Sequence, residues 1–157
     1  MSAGTKKSLK YFMRKPEEEI VTAPGPETFK DEDGNVIQFE IRVLTQRQIQ
    51  DINNGYRNHG IATDKKGNPL IANGEVVWKT DIDRARASRH MIAEALVYPN
   101  LKDPELMGFY NCHDISEMPL HVFQRPDEYA HVSQMVMKAL GLMDATEEEK
   151  ELEDAKN

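Results

Sequence analysis

One cysteine among 157 residues leaves Cys112 without a partner for an intramolecular disulfide, so it reads as a small buried thiol in a chain compatible with a reducing compartment. No apolar stretch approaches the roughly 20 residues that a membrane-spanning helix needs, and the run from Met1 to Lys15 lacks the apolar centre of a secretory signal. The expected location is therefore the cytosol. The glycines stand singly in turns, so neither the Walker phosphate loop nor the Rossmann fingerprint occurs. No serine or cysteine sits in a nucleophile elbow, which argues against a hydrolase. Cys112, His113, His121 and His131 fall within twenty residues, yet structural zinc favours ligand pairs two to four residues apart, and adjacent Cys112 and His113 point apart. The carboxylates of Glu17-Glu18-Glu19 and Glu147-Glu148-Glu149 lie in solvated runs, where nothing tunes them for general acid work. No catalytic residue, cofactor or metal is expected.

What the chain has in quantity is charge. Charged residues make up 30% of it against 39% hydrophobic, and the formal net charge is −7, which disfavours nonspecific binding to nucleic acid or to an anionic membrane. A protein partner fits better. The two ends carry opposite signs: five cations and no acid in the first fifteen residues, seven acids against Lys150 and Lys156 from Asp144 to Asn157. Such runs are ordinarily mobile, so the expected organisation is a basic segment over 1–18, one globular domain over 19–143 and an acidic tail over 144–157. Leu9, Tyr11, Phe12 and Met13 place an apolar cluster inside the basic run. Arg84, Arg86 and Arg89 with Lys79 form the one basic grouping on an ordered element, diluted by Asp81, Asp83 and Glu94.

Patterning points to an α+β fold, N-terminal β-hairpins followed by a mainly α-helical C-terminal half. Glu19 to Ala23 is β-capable and is closed by Pro24-Gly25-Pro26. Glu27 to Lys30, Asp33-Gly34-Asn35 and Val36 to Leu44 read as a hairpin with Ile37, Phe39, Ile41 and Val43 inward. Thr45 with Gln48 makes a capping box opening a helix to about Tyr56, with Ile49 and Ile52 inward. Asn73-Gly74 suits a type I′ turn between 69–72 and 75–78, within an elaboration over 57–80, and Trp78 reads first as packing over its own core and second as an interface anchor. Asp81 should cap a helix from Ile82 to about Val97 that buries Ala85, Ser88, Met91, Ile92, Ala95 and Leu96, with His90 solvated on its charged side. Asp103 and Pro104 open another helix with Leu106, Phe109 and Tyr110 inward. A short helix over Met118 to Phe123 and a last one from Pro126, carrying Tyr129, Val132, Val136, Ala139 and Leu140 and stopped by Gly141, complete the pattern.

From Met91 to Leu142 the chain resembles the phage tail assembly chaperones of the XkdN-like group. The resemblance is carried by Val97-Tyr98-Pro99-Asn100-Leu101-Lys102-Asp103-Pro104-Glu105-Leu106, Met118 to Phe123, Pro126-Asp127-Glu128-Tyr129 and Leu140-Gly141-Leu142. Asp127 stands where the family tends to have glycine. The resemblance implies a non-catalytic chaperone that binds the tape-measure protein, and in some settings the tail-tube protein, in the host cytoplasm and is absent from the mature virion. Candidate contacts are Tyr98, Leu106, Phe109, Tyr110, Met118, Phe123, Tyr129 and Met135, each of which also serves as ordinary core. It also implies a longer form made by ribosomal frameshifting, for which the codons of Ala155-Lys156-Asn157 are a candidate site. Alternatives are a virion-associated structural or tail-completion protein and a small DNA-binding regulator using Arg84, Arg86 and Arg89.

Overall fold

The protein is described here by a computed structural model covering residues 7–143; the terminal residues 1–6 and the whole acidic run 144–157, for which mobile ends are expected, lie outside the described residues. Strands come first and helices later. Strand β1 (Ile20–Pro24) pairs antiparallel with β2 (Gln38–Arg42), from Ile20 opposite Arg42 to Pro24 opposite Gln38. Alternation along β2 sends Phe39 and Ile41 into the core and leaves Gln38 and Glu40 exposed, the period of a half-buried strand. The expected hairpin partner over 27–30 contributes only a bridge, Lys30 to Val36. Pro24-Gly25-Pro26 turns the chain so that 25–37 folds back as an extension of the same ladder, with Gly25 N–H donating to the Ile37 carbonyl at 3.0 Å. Gly25 is required there, because a Cβ would sit 2.5 Å from Cε1 of Phe39. The alternation breaks after Arg42, so Leu44 is buried and Val43 only half-buried.

Thr45 caps α1 (Gln46–Asn54) as expected: Gln48 N–H donates to Thr45 Oγ1 at 3.2 Å and Thr45 N–H to Gln48 Oε1 at 2.8 Å. Such a cap stabilises a helix by about 1 kcal/mol. Ile49 is buried and Ile52 packs against the core.

Residues 57–82 form an arm. Strand β3 (Arg57–Ile61) pairs antiparallel with β6 (Trp78–Ile82), and β4 (Ile71–Ala72) with β5 (Glu75–Val76) across a turn in which Asn73 and Gly74 have φ of 55° and 78°, as a type I′ turn demands. Sequence patterning missed β3, because Arg57-Asn58-His59-Gly60 carries no apolar alternation. Of its two readings of Trp78 the favoured one, packing over the core, fails, since Trp78 is 70% exposed. Because β6 runs on to Ile82, the next helix starts later than expected. Asp83, not Asp81, caps α2 (Arg84–Ala95), accepting from Arg86 N–H at 3.2 Å, while Asp81 is a strand residue opposite Asn58.

Helix α2 is the hub of the body, touching α1, the helices over Met118–Val122 and Pro126–Ala139, and the sheet. It buries Ala87, Met91, Ile92, Ala93 and Ala95; Ala85, expected inside, is exposed. It ends at Ala95 rather than near Val97, since Val97, Tyr98 and the following Pro99 favour extended backbone. Leu96–Tyr98 becomes β7, pairing with β2 to complete the sheet order β1-β2-β7. Three helices follow: α3 (Pro104–Phe109), α4 (Met118–Val122) and α5 (Pro126–Ala139). Gly141, with φ 73°, closes α5 in a Schellman motif, Leu142 N–H reaching the Met137 carbonyl at 2.9 Å.

Phe29, Phe39 and Phe123 meet at centroid distances of 5.8 to 6.3 Å, joining loop, sheet and α4 end. Beside them lies Glu128, the one buried carboxylate among the described residues. Its Oε1 accepts from Arg125 N–H at 3.0 Å, and its Oε2 accepts from the Thr28 hydroxyl. Glu128, in the first turn of α5, therefore also fastens the 25–37 loop to that helix, with both carboxylate oxygens satisfied.

Candidate functional site

Asp103 accepts from Glu105 N–H at 2.8 Å and Pro104 occupies the first turn of α3, the arrangement expected from sequence. The helix is only six residues long and ends abruptly at Asn111, which takes φ 48°. Cys112 N–H reaches back to the Met107 carbonyl at 3.0 Å and Asn111 N–H to Gly108 at 3.1 Å, so the chain reverses there. This reversal has a consequence for the rings before it. Phe109, expected inward, is 80% exposed, whereas Tyr110 is half-buried. Phe109 meets Tyr110 edge-on at 4.9 Å, and Tyr110 stacks on His121 of α4 at 5.5 Å. The three rings make a continuous strip, with Leu120 exposed on the same short helix.

The loop beneath the strip is tied to α2. Arg86 Nε donates to Ser116 Oγ at 3.0 Å, and its guanidinium also pairs with Asp114; Arg89 Nε donates to the Ser116 carbonyl at 2.9 Å and its Nη2 to Glu117 at 3.2 Å. Ser116 is fully buried, and its hydroxyl donates to Asp114 Oδ1 at 2.7 Å. That hydroxyl holds the Asp114 carboxyl below the usual range; partial burial opposes it and Arg86 reinforces it. Arg86 in turn is raised by its hydrogen bond to Asp114. Cys112, buried as expected, donates Sγ–H to the Asp114 carbonyl at 3.2 Å. Three of the four cations singled out in the sequence are paired, Lys79 with Asp81, Arg86 with Asp114 and Arg89 with Glu117, while Arg84 is exposed at the start of α2.

One turn along α2 from Arg86, His90 is not simply solvated. Its Nδ1 lies 2.6 Å from the Tyr56 hydroxyl and its Nε2 3.4 Å from Glu94. Burial pushes the Glu94 carboxyl up, but the hydrogen bond and charge of Lys102, 2.9 Å away, outweigh it and the net direction is down. Desolvation raises the Tyr129 phenol, with Arg89 acting against it.

Of the eight residues singled out as partner contacts, the structure divides the set by exposure. Met118 is 0% and Phe123 2% exposed, and both are core side chains. Leu106, Tyr129 and Met135 are partly buried and pack against the core. Tyr98, at the end of β7, is 50% exposed, and Phe109 and Tyr110 lie together. Sequence reasoning missed His121 and Leu120, and only contact with Tyr110, invisible in spacing, reveals the histidine's place. Rings, an imidazole and aliphatic groups at the surface suit recognition of another polypeptide by apolar and stacking contact.

A family model described as phage XkdN-like tail assembly chaperone protein matches residues 9–156. The chain belongs to that family. It is 29% identical over 145 residues to YqbN of Bacillus subtilis (strain 168), covering 89% of this chain and 88% of that protein. It is 26% identical over 151 residues to the phage-like element PBSX protein XkdN of the same organism, covering 95% and 93%. The crystal structure of YqbN superposes with a TM-score of 0.66 at 22% identity, over 89% of this chain and all of that one, which shows a shared fold. The match runs from residue 9 to 156, so the arm and the N-terminal strands fall within the family's extent as well as the helical part.

Proposed function

We propose that this tail assembly chaperone acts without catalysis, holding the tape-measure protein through the aromatic strip Phe109–Tyr110–His121 until the tail tube forms around it. The observation that carries the reading is Phe109, a large apolar ring 80% exposed on a short helix whose following loop is fastened by Arg86, Arg89 and Ser116. A ring exposed on a fixed support lies ready for a partner's apolar stripe with little ordering cost. Amphipathic helices of a long tail protein supply such stripes. The acidic chain, net −7, keeps the loaded complex soluble. The same reading places the chaperone in the host cytoplasm and leaves it out of the finished particle. It also admits the tail-tube protein as a second partner and a frameshifted longer form of the chain, whose candidate codons at Ala155-Lys156-Asn157 lie outside the described residues.

Co-expression of the chain with its phage's tape-measure protein, followed by affinity capture, tests this. The wild-type chain should hold the tape-measure protein in solution, and Phe109→Ala should weaken capture by about tenfold or more, the effect of losing an interface anchor. Equal capture by both, or none by the wild type, would remove the reading.

A further inference from the structure

The arm carries a second surface that the aromatic strip does not use. Strand alternation and the register of 57–82 put Ile61, Ile71, Val76 and Trp78 on one face: Ile61 lies opposite Trp78 and Ile71 opposite Val76, and Val76 and Trp78 are two positions apart on one extended run. The two separate ladders are joined at this end, where Ala62 N–H donates to the Val77 carbonyl, Leu70 N–H to the Ala62 carbonyl and Val77 N–H to the Leu70 carbonyl, at 2.8, 2.8 and 3.0 Å. Further along the same face His59 Nδ1 meets Thr80 Oγ1 at 3.2 Å. The opposite face takes the charges of that strand, with Lys79 and Asp81 paired at 3.0 Å and Glu75 beside Ala72. All four apolar side chains of the first face are exposed, Trp78 by 70% and Ile71 by 68%.

We infer that this face is a self-association surface, on which two copies of the chain pair arm to arm in a weak, reversible dimer. Charge selects the occupant. In a two-fold contact a group near the axis meets its own copy, so a charge there meets a like charge. Between the His59–Thr80 pair and the Ile71–Val76 pair the strand residues of this face carry no formal charge, although 30% of the chain is charged; Arg57 lies at its root, and Lys65 and Lys66 in the separate 64–67 turn. The arm as a whole is also near neutral, with Arg57, Lys65, Lys66 and Lys79 against Asp64, Glu75 and Asp81, in a chain of net charge −7. It is where two copies approach with little repulsion, and a partner bearing charged flanks finds nothing on this face to pair with. Area sets the strength. Four side chains of this size and exposure offer on the order of 400 Å² per copy, half of the roughly 800 Å² per partner in a standard stable interface. A contact of that size dissociates on dilution. A two-stranded ribbon with a bare apolar face is marginal by itself in water, which gives the arm something to gain from cover.

Trp78, the only tryptophan, reports on this face alone. The full chain should be followed by sedimentation and by tryptophan emission from about 1 μM to about 1 mM, the range in which so small an interface titrates. The mass should rise toward that of a dimer while the emission shifts to the blue over the same concentrations. Ile71→Lys with Val76→Lys, which brings like charges together and retains the reporter, should weaken association at least tenfold; Glu75→Gln on the opposite face should leave it unchanged. A wild-type chain that stays monomeric throughout, or one that associates with no change in Trp78 emission, overturns the inference, and the wild-type series decides this whatever the variant arm does. Association that persists in the double lysine variant also overturns it.

Discussion

The body and the arm are built from strands of the same kind, yet one strand hides its apolar residues and the other displays them. In β2 every second residue enters a core roofed by α2 and closed by Phe29 and Phe123. In β6 four of five residues are exposed, Trp78 among them, and among the described residues no helix packs over that ribbon as α2 packs on β2. The comparison teaches that alternation sets which residues share a face, while cover from another element decides whether that face is inside. The body is held by burial and by a few satisfied polar ties. The arm is held by ladder hydrogen bonds, by Asn73-Gly74, and at its root by Asp83 N–H on the Tyr56 carbonyl at 2.9 Å.

If that contrast is right, the largest effect belongs to the aromatic trio. Phe123→Ala should lower the stability of the body by about 3–5 kcal/mol in urea unfolding, through lost burial and the cavity left against Phe29 and Phe39. Gly25→Ala comes next, at about 1–3 kcal/mol, since the added methyl runs into the Phe39 ring and the loop must give way. A neutral result would show that the loop packs less tightly on β2 than described.

Asp114 sharpens the comparison through pH. Its carboxyl is held below the usual range, so its ionised form contributes stability that is present above the ordinary aspartate value and is lost as pH falls through the lower folded value. Asp114→Asn should therefore lower the melting temperature at neutral pH, and the gap from wild type should close in acid. A gap that widened in acid would contradict the assignment. Smallest of all should be the replacement of Asn73 and Gly74 by alanine. Amide exchange at Ala62 and Val77 should quicken as the turn loses its positive-φ residues, while global unfolding of the body changes by no more than about 0.5 kcal/mol.

Sequence made the capped and patterned elements legible. Thr45 with Gln48, Asp103 with Pro104, the alternation of Phe39 and Ile41, and Gly141 after α5 each carry a local signal that the fold obeys. What failed depended on distance. The partners of β2 are β1, across a loop whose proline and glycine residues read as a stop, and the distant β7. Strand β3 has no pattern of its own and exists through its pairing with β6. That pairing moved the start of α2 from Asp81 to Asp83. At the candidate site, the chain reversal at Asn111 turned Phe109 outward, which helical spacing alone assigned to the core. His121 joined the strip through contact with Tyr110, across eleven residues of sequence.

The central claim is that Phe109 serves a partner rather than the fold. The direct measurement compares Phe109→Ala with the wild type twice, once in thermal unfolding alone and once in affinity capture of the co-expressed tape-measure protein. The account predicts an unchanged melting temperature together with capture weakened by about tenfold or more. A variant that melts well below the wild type yet captures its partner equally well would contradict it.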